Sequence, residues 1–270
     1  MRYTLSIIIP CFNSGVFLKE AIESCYRSEF QDFEIIIIND GSYDKITLEL
    51  FMESWPQNLK IVNQQNKGAA AARNFGVSLA QGEFLLFLDS DNRIWPDYLT
   101  KALQIIRQDS KIAVVYSKPY FFGGEETQET SRFDVKDFSL DSLLAGNYID
   151  MCSLVRKSAF SEVGGFDENR EIFFGEDWEL WIRIAHANWK FRFLNEVVFD
   201  YRIRKGSLMD QIDQERCRRT LQYVGSKHGL MIHKHYRKYY RIVEKMQTKP
   251  FRYFIRILYC KYILRKPFIN

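Results

Sequence analysis

The sequence points to a doubly wound α/β fold: a mostly parallel sheet with helices on both faces, followed by a helical, basic and aromatic C-terminal extension. Short apolar runs alternate with helix-period segments through the first hundred residues, and a polar cluster closes several of these runs. After about residue 210 the pattern becomes purely helical. Strand–helix repetition of this kind builds parallel sheets. The 270 residues suit one large domain or a domain with a small appendage, and we place the division at 1–208 and 209–270.

The run at 5–9 is continuous, β-branched and stopped by Pro10, as expected of a strand buried on both faces. Asn13 and Ser14 are positioned to cap a helix reaching about residue 27. A second buried strand at 33–38 ends in Asn39-Asp40-Gly41-Ser42, and a helix over 43–54 follows. A short strand at 59–63, a helix through Ala69-Ala70-Ala71-Ala72 and a strand at 84–88 complete the repeat. Beyond Pro96 we expect a helix to about 108, a strand at 112–116 and a polar, mobile loop at 123–137. A strand near 153–156, a turn at Gly164-Gly165, a helix over 176–187 and two short strands come next.

Composition narrows the class. A chain that is 46% hydrophobic and 27% charged is an ordinary globular one, not a disordered one. Pro10, Asn13, Ser14 and Gly15 interrupt the longest uncharged stretch, 3–18. Charges break the other apolar runs well short of the ~20 residues needed for a bilayer span, and the N-terminus lacks signal-peptide character. Five cysteines without a CxxC pair argue against a disulfide framework or a zinc site, so a reducing cytoplasm is expected. The net charge of +4 is unevenly spread: residues 236–267 hold ten Lys/Arg against Glu244 alone. That tail calls for an anionic partner.

In open α/β sheets ligands bind beyond the carboxyl ends of the strands. Asp89-Ser90-Asp91-Asn92 follows the fourth run directly. A turn there can bring two carboxylates around Mg²⁺ or Mn²⁺, with substrate phosphates completing the shell. Equally, Asp89 can cap the turn while Asp91 is solvated. Asp40 beside Gly41 reads either as an acceptor for a base or ribose or as part of an ordinary turn. Glu176-Asp177 open a helix, where acids complement the dipole. The alternative is a general base beside an aromatic platform made by Trp178. Arg73 is either a surface residue or the counter-charge to a phosphate. No glycine-rich dinucleotide or P-loop motif occurs, and none of the four histidines has a triad partner nearby in sequence.

Taken in order, Ser6-Ile-Ile-Ile-Pro-Cys-Phe-Asn13, Asn39-Asp-Gly-Ser42, Lys67-Gly-Ala-Ala-Ala-Ala-Arg-Asn-Phe-Gly76, Phe87-Leu-Asp-Ser-Asp-Asn92, Val163-Gly-Gly-Phe-Asp167 and Gly175-Glu-Asp-Trp-Glu-Leu-Trp-Ile-Arg183 resemble the family 2 glycosyltransferases. The resemblance covers about residues 4–207. It implies a GT-A fold and inverting transfer of a sugar from a nucleotide-diphosphate donor, UDP by preference, to a hydroxyl of a glycan or lipid-linked acceptor. Bacterial cell-surface polysaccharide or glycolipid synthesis is the implied setting. By the same resemblance Pro10 and Asn13 lie near the nucleotide, Asp40 contacts the base, and Arg73 approaches the nucleotide or diphosphate. Asp91 would hold the divalent metal (Mn²⁺ or Mg²⁺) with Asp89 beside it. Asp177 would be the catalytic base, with Glu176 and Trp178 on the acceptor side.

Three positions depart from the family pattern. Asn39 stands for a second Asp, Asn92 for a further acid, and Arg204 for a His that helps hold metal or diphosphate. Arg204 can only neutralise charge on the donor side. A catalytically silent nucleotide-sugar-binding protein and a sugar nucleotidyltransferase are the competing classes.

The family motifs stop before the tail. Phe251, Phe254, Ile255, Leu258, Tyr259 and Tyr262 share one helical face there. Such a segment either lies on an anionic membrane, placing the protein on the inner face of the plasma membrane, or packs on the catalytic domain. No nucleic-acid partner is expected, because no RNA-binding signature accompanies the charge.

Overall fold

The structure, a computed structural model, describes residues 3–123, 134–169, 172, 174–207 and 213–265. Most of the polar loop expected at 123–137 lies outside the described residues. So do the 208/209 boundary and positions 266 and 267 of the tail. The chain divides into two compact units, Met1–Thr220 and Leu221–Asn270.

The first unit opens with β1 (Leu5–Cys11), α1 (Gly15–Tyr26), β2 (Phe33–Asn39), α2 (Lys45–Phe51), β3 (Leu59–Asn63), α3 (Ala69–Leu79) and β4 (Phe84–Phe87). Every residue of β1, β2 and β4 is buried, which is why their sequences do not alternate. Alternate residues of β1 serve opposite faces of the sheet. Ile7 and Ile9 join Leu18, Ala21 and Ile22 of α1 in one core cluster. Ile8 turns to α3 so closely that a Cβ at Gly76 would lie 2.5 Å from its Cγ2. Helices therefore cover both faces.

The unit continues with β5 (Arg93–Ile94), α4 (Tyr98–Ile106), β6 (Ile112–Phe122), α5 (Leu140–Ala145), β7 (Leu154–Arg156), α6 (Lys157–Glu162), α7 (Glu176–His186) and β8 (Lys190–Arg202). Among the described residues the sheet order is β3-β2-β1-β4-β7-β6-β8-β5. The pairs β1–β2, β2–β3, β1–β4 and β6–β8 are parallel, whereas β7 runs antiparallel to β4 and β6, as does β5 to β8. The sheet is thus mixed but mostly parallel, as expected.

Several local expectations are corrected. The two short strands expected after α7 are one strand, β8. The exposed Asn195-Glu196, which looks like a break, falls where the register with β6 shifts beside Lys118 and Pro119. Pro119 has no N–H to give, so the ladder bulges there instead of ending. The same pairing carries β6 to Phe122, well past its expected end at 116. Ser14 occupies the N-cap of α1 without a side-chain cap bond; its hydroxyl pairs with that of Ser90 instead. The α2 helix starts later than expected, because Asp44 accepts from the Thr47 N–H and caps it.

A helix α8 (Gln214–Lys227) crosses the division between units. In the second unit follow α9 (Gly229–Thr248), α10 (Pro250–Leu258) and a π-helical turn, Tyr259–Leu264.

Candidate active site

The carboxyl ends of β1, β2 and β4 carry the three polar clusters to one edge. Pro10 is buried within β1, and Asn13 beyond it takes a positive φ of 50°. Its Oδ1 accepts from the Tyr43 and Asp44 N–H groups at 2.9 and 3.1 Å, tying the end of β1 to the segment after β2. Asp40 is 4% exposed, and its carboxylate is taken up by the chain itself. It accepts from Gln64 Nε2 at 2.7 Å and from the Lys67 and Gly68 N–H groups at 2.8 Å. Gly41 (φ 78°) lets that loop close, since a Cβ there would lie 3.2 Å from the Asn66 nitrogen. Asp40 therefore anchors the loop before α3.

Arg73 projects from α3 into an acidic pair. Its two terminal nitrogens donate at 2.6 Å to Asp89 Oδ1, beyond β4, and to Glu176 Oε1, the first residue of α7. The guanidinium is 5% exposed. Burial opposes its charge, but Asp89 and Glu176 outweigh burial and raise its pKa. One cation thus binds the end of β4 to the start of α7 across 103 residues of sequence. Asp177, the next residue, is delivered to the same edge.

The Asp177 side chain is half-buried. Its Oδ1 accepts from the Trp178 N–H at 2.7 Å and its Oδ2 from Asn147 Nδ2 at 2.9 Å. Desolvation, then the Glu176 charge, hold its pKa well above the usual carboxylate range. Asp150 is near enough for its charge to act on Asp177 and for Asp89 to act on it; burial pushes its own pKa up to about 7. The Tyr201 phenol is also pushed up, first by burial and then by Asp150, Asp89, Asp91 and Asp177. These shared influences place Asp89, Asp91, Asp150 and Asp177 in one electrostatic environment.

On the other side, Arg204 Nε donates to Asp91 Oδ2 at 2.8 Å, and its guanidinium lies over Phe17. A lattice behind it sets this position: Arg202 bonds the Asp91 carbonyl at 3.0 Å and Glu20 at 2.6 Å, and Arg93 bonds Asp200. Burial and then Asp89 raise the Asp91 pKa. Among the described residues no group of three or more His, Cys, Asp or Glu gathers around one point. The donor chemistry nevertheless fits a hard divalent cation. The charge that Asp89 imposes on Asp91 would be relieved by it, and phosphate and water oxygens would complete the shell.

Two of the expected acceptor-side residues, Trp178 and Glu176, are engaged by the protein itself. Trp178 forms no open platform: it is 7% exposed and its indole N–H donates to the Leu143 carbonyl of α5. Burying that wide ring with its N–H satisfied uses it as packing. The Glu176 carboxylate is engaged by Arg73 and so holds α7 in place. The positions of missing acids are also structural: Asn92 Oδ1 accepts from the Arg202 N–H, and Asn39 bridges Asn63 and Ser42. Sequence reasoning missed Asn147, Asp150 and Tyr201. Only the Asp177 and Asp89 neighbourhoods reveal them.

The comparisons agree with this architecture. The model for glycosyl transferase family 2 matches residues 6–164, and that for the N-terminal domain of galactosyltransferase matches 145–205. The Bacillus subtilis minor teichoic acid biosynthesis protein GgaB is 30% identical over 214 residues, covering 76% of this chain and 23% of its own. Staphylococcus aureus TarS 1-349, solved with UDP-GlcNAc, superposes with a TM-score of 0.65 at 22% identity, over 78% of this chain and 61% of that one. A mannosyltransferase from Pyrobaculum calidifontis, solved with GDP-Man and Mn²⁺, gives 0.59 at 18% identity, over 77% and 59%. The chain therefore spans about a quarter of GgaB and about three fifths of each solved chain. The mixed sheet and its helices have the GT-A fold. With more than half of its residues matched by that family's model, this chain belongs to glycosyl transferase family 2.

Proposed function

We propose that the chain transfers a hexosyl or N-acetylhexosaminyl group from a nucleotide-diphosphate sugar to an acceptor hydroxyl with inversion, and that Asp177 is the base. The observation that carries this reading is the Arg73 bridge, which ties Asp89 at the end of β4 to Glu176, the residue before the half-buried Asp177. The donor would lie along the strand ends, over Pro10, Asn13 and the loop anchored by Asp40, with its diphosphate toward Asp89, Asp91 and Arg204. A UDP-sugar is the favoured donor, in keeping with the ligand of the TarS structure. The acceptor is a glycan or lipid-linked sugar, in keeping with the teichoic acid biosynthesis role that GgaB's name gives it. Asp89 and Asp91 would hold Mn²⁺ or Mg²⁺, which supplies charge compensation for the departing diphosphate when bound.

Asp177 takes the acceptor proton as the hydroxyl oxygen bonds to the anomeric carbon and the bond to the diphosphate breaks. A single carboxylate suffices because the leaving group departs as a stable anion. A raised pKa suits a base working near neutral pH. Asn147 holds that carboxylate through a hydrogen bond that favours its ionised form. Replacing Asn147 by Ala is expected to move the rising limb of the kcat/KM–pH profile to higher pH, with donor affinity unchanged. An unshifted profile would remove Asn147 from the account.

The test of the reading is a thermal-shift panel of UDP-, GDP-, CMP- and dTDP-sugars, each with Mn²⁺, Mg²⁺ or EDTA. Preferential binding to the native state raises Tm. One nucleotide is expected to stabilise the protein in a metal-dependent way, and Asp91→Ala is expected to abolish the metal-dependent part. The absence of any shift would overturn the donor site.

A further inference from the structure

The second unit carries a surface outside the residues of the candidate site. At about 100° per residue, Lys234, Arg237, Lys238, Arg241 and Lys245 of α9 fall within one quadrant or so of the helix. The exposed Tyr236, Tyr240 and Val243 cluster on the far side, and Met231, Ile232, Tyr239, Ile242 and Met246 lie between them and the basic stripe, only partly exposed. The α10 helix repeats the arrangement: Arg252 and Arg256 stand one turn apart, and Phe251, Phe254, Ile255 and Leu258 form another face. Those four are 78%, 57%, 56% and 38% exposed, and no residue of α9 or α10 is buried. The π-helical turn adds exposed Tyr259, Tyr262, Ile263 and Leu264. Glu244 is the one acid from 229 to 265.

We propose that α9 and α10 dock on an anionic lipid bilayer surface. The Phe, Ile and Leu side chains would enter the acyl boundary, the tyrosines would sit at headgroup depth, and the Lys and Arg side chains would reach the lipid phosphates. Two observations select this partner. Residues 229–265 carry ten Lys/Arg against Glu244 alone, so the surface is complementary to dense negative charge. The apolar face of α10 must also leave water, which a lipid interface satisfies and a nucleic-acid backbone does not. Among the described residues no helix is long and apolar enough to cross a membrane, so the mode is attachment to the surface. Docking stands independently of the chemistry. If the proposed transfer is also correct, docking holds the protein where lipid-linked acceptors reside.

The test is flotation of the full chain, without donor, on vesicles of phosphatidylcholine alone or with about a third phosphatidylglycerol. Each basic side chain near such a surface contributes roughly fivefold. Binding at least tenfold stronger to the anionic vesicles is therefore expected, weakening between about 0.1 M and 0.5 M salt as charges are screened. A triple variant, Lys234→Gln, Arg237→Gln and Arg241→Gln, is expected to lose most of the anionic preference. Phe251→Ser with Phe254→Ser is expected to weaken binding at every salt concentration. The thermal-shift response to donor should persist in both variants, which separates this test from that of the sugar-transfer reading. Equal binding to both vesicles, no binding to either, or a salt-sensitive shift with RNA while vesicles stay inert would overturn the proposal.

Discussion

Asp177→Asn is expected to lower turnover by about 10²–10⁴-fold, the usual contribution of a positioned base. Donor binding should stay close to wild type, because the amide keeps the carboxylate's shape and acceptance from the Trp178 N–H. A second signature lies in stability. Burial and Glu176 hold the Asp177 pKa above the ~3.9 of an unfolded Asp. The folded chain therefore keeps a proton that the unfolded chain releases. This contribution to stability is fully present below the unfolded pKa and is lost as pH rises through the folded one. An Asn cannot ionise, so the variant should gain stability over wild type as pH rises from about 5 to 8. Tm measured across that range checks the sign. A wild type that loses nothing relative to the variant would place Asp177 in a wetter environment than its partners allow.

Arg73→Met should destabilise the first unit by about 3 kcal/mol, the lower end of the cost of breaking a buried ion pair. The lower end applies because Asp89 keeps 32% side-chain exposure and can be rehydrated; Glu176 keeps 14%. The variant leaves both acids without their shared cation and frees the first turn of α7. Activity should fall further than stability explains. Arg73→Lys is expected to recover only part of each, since one ammonium cannot present two separate nitrogens to two carboxylates. Urea unfolding of the three proteins measures the difference, and a loss below about 1 kcal/mol for the Met variant would contradict the bridging role.

Much of this architecture was legible in sequence because it is local. The runs in β1, β2 and β4 needed no partner to be recognised, and the acids beyond β2 and β4 are placed by strand ends alone. What escaped depends on distant neighbours. Nothing near Asn195-Glu196 announces that β6 will absorb those residues as a bulge. Asn147 and Asp150 lie in a segment without motif character and meet Asp177 only once α5 and α7 pack. The Trp178 ring looked available because its sequence neighbours are acids; the carbonyl of Leu143, 35 residues away, takes its N–H. Arg73 was legible as a cation near the edge, but its two partners were not, because one belongs to an element 103 residues further on.

The most direct measurement uses water as the acceptor. Wild type and Asp177→Asn are each given an α-linked UDP-sugar and Mg²⁺, and the freed sugar is followed by proton NMR before it mutarotates. With one carboxylate activating the nucleophile opposite the leaving group, the wild type should release the β anomer first, and the variant should release almost none. Early α anomer, or equal release from both proteins, would contradict direct displacement driven by Asp177.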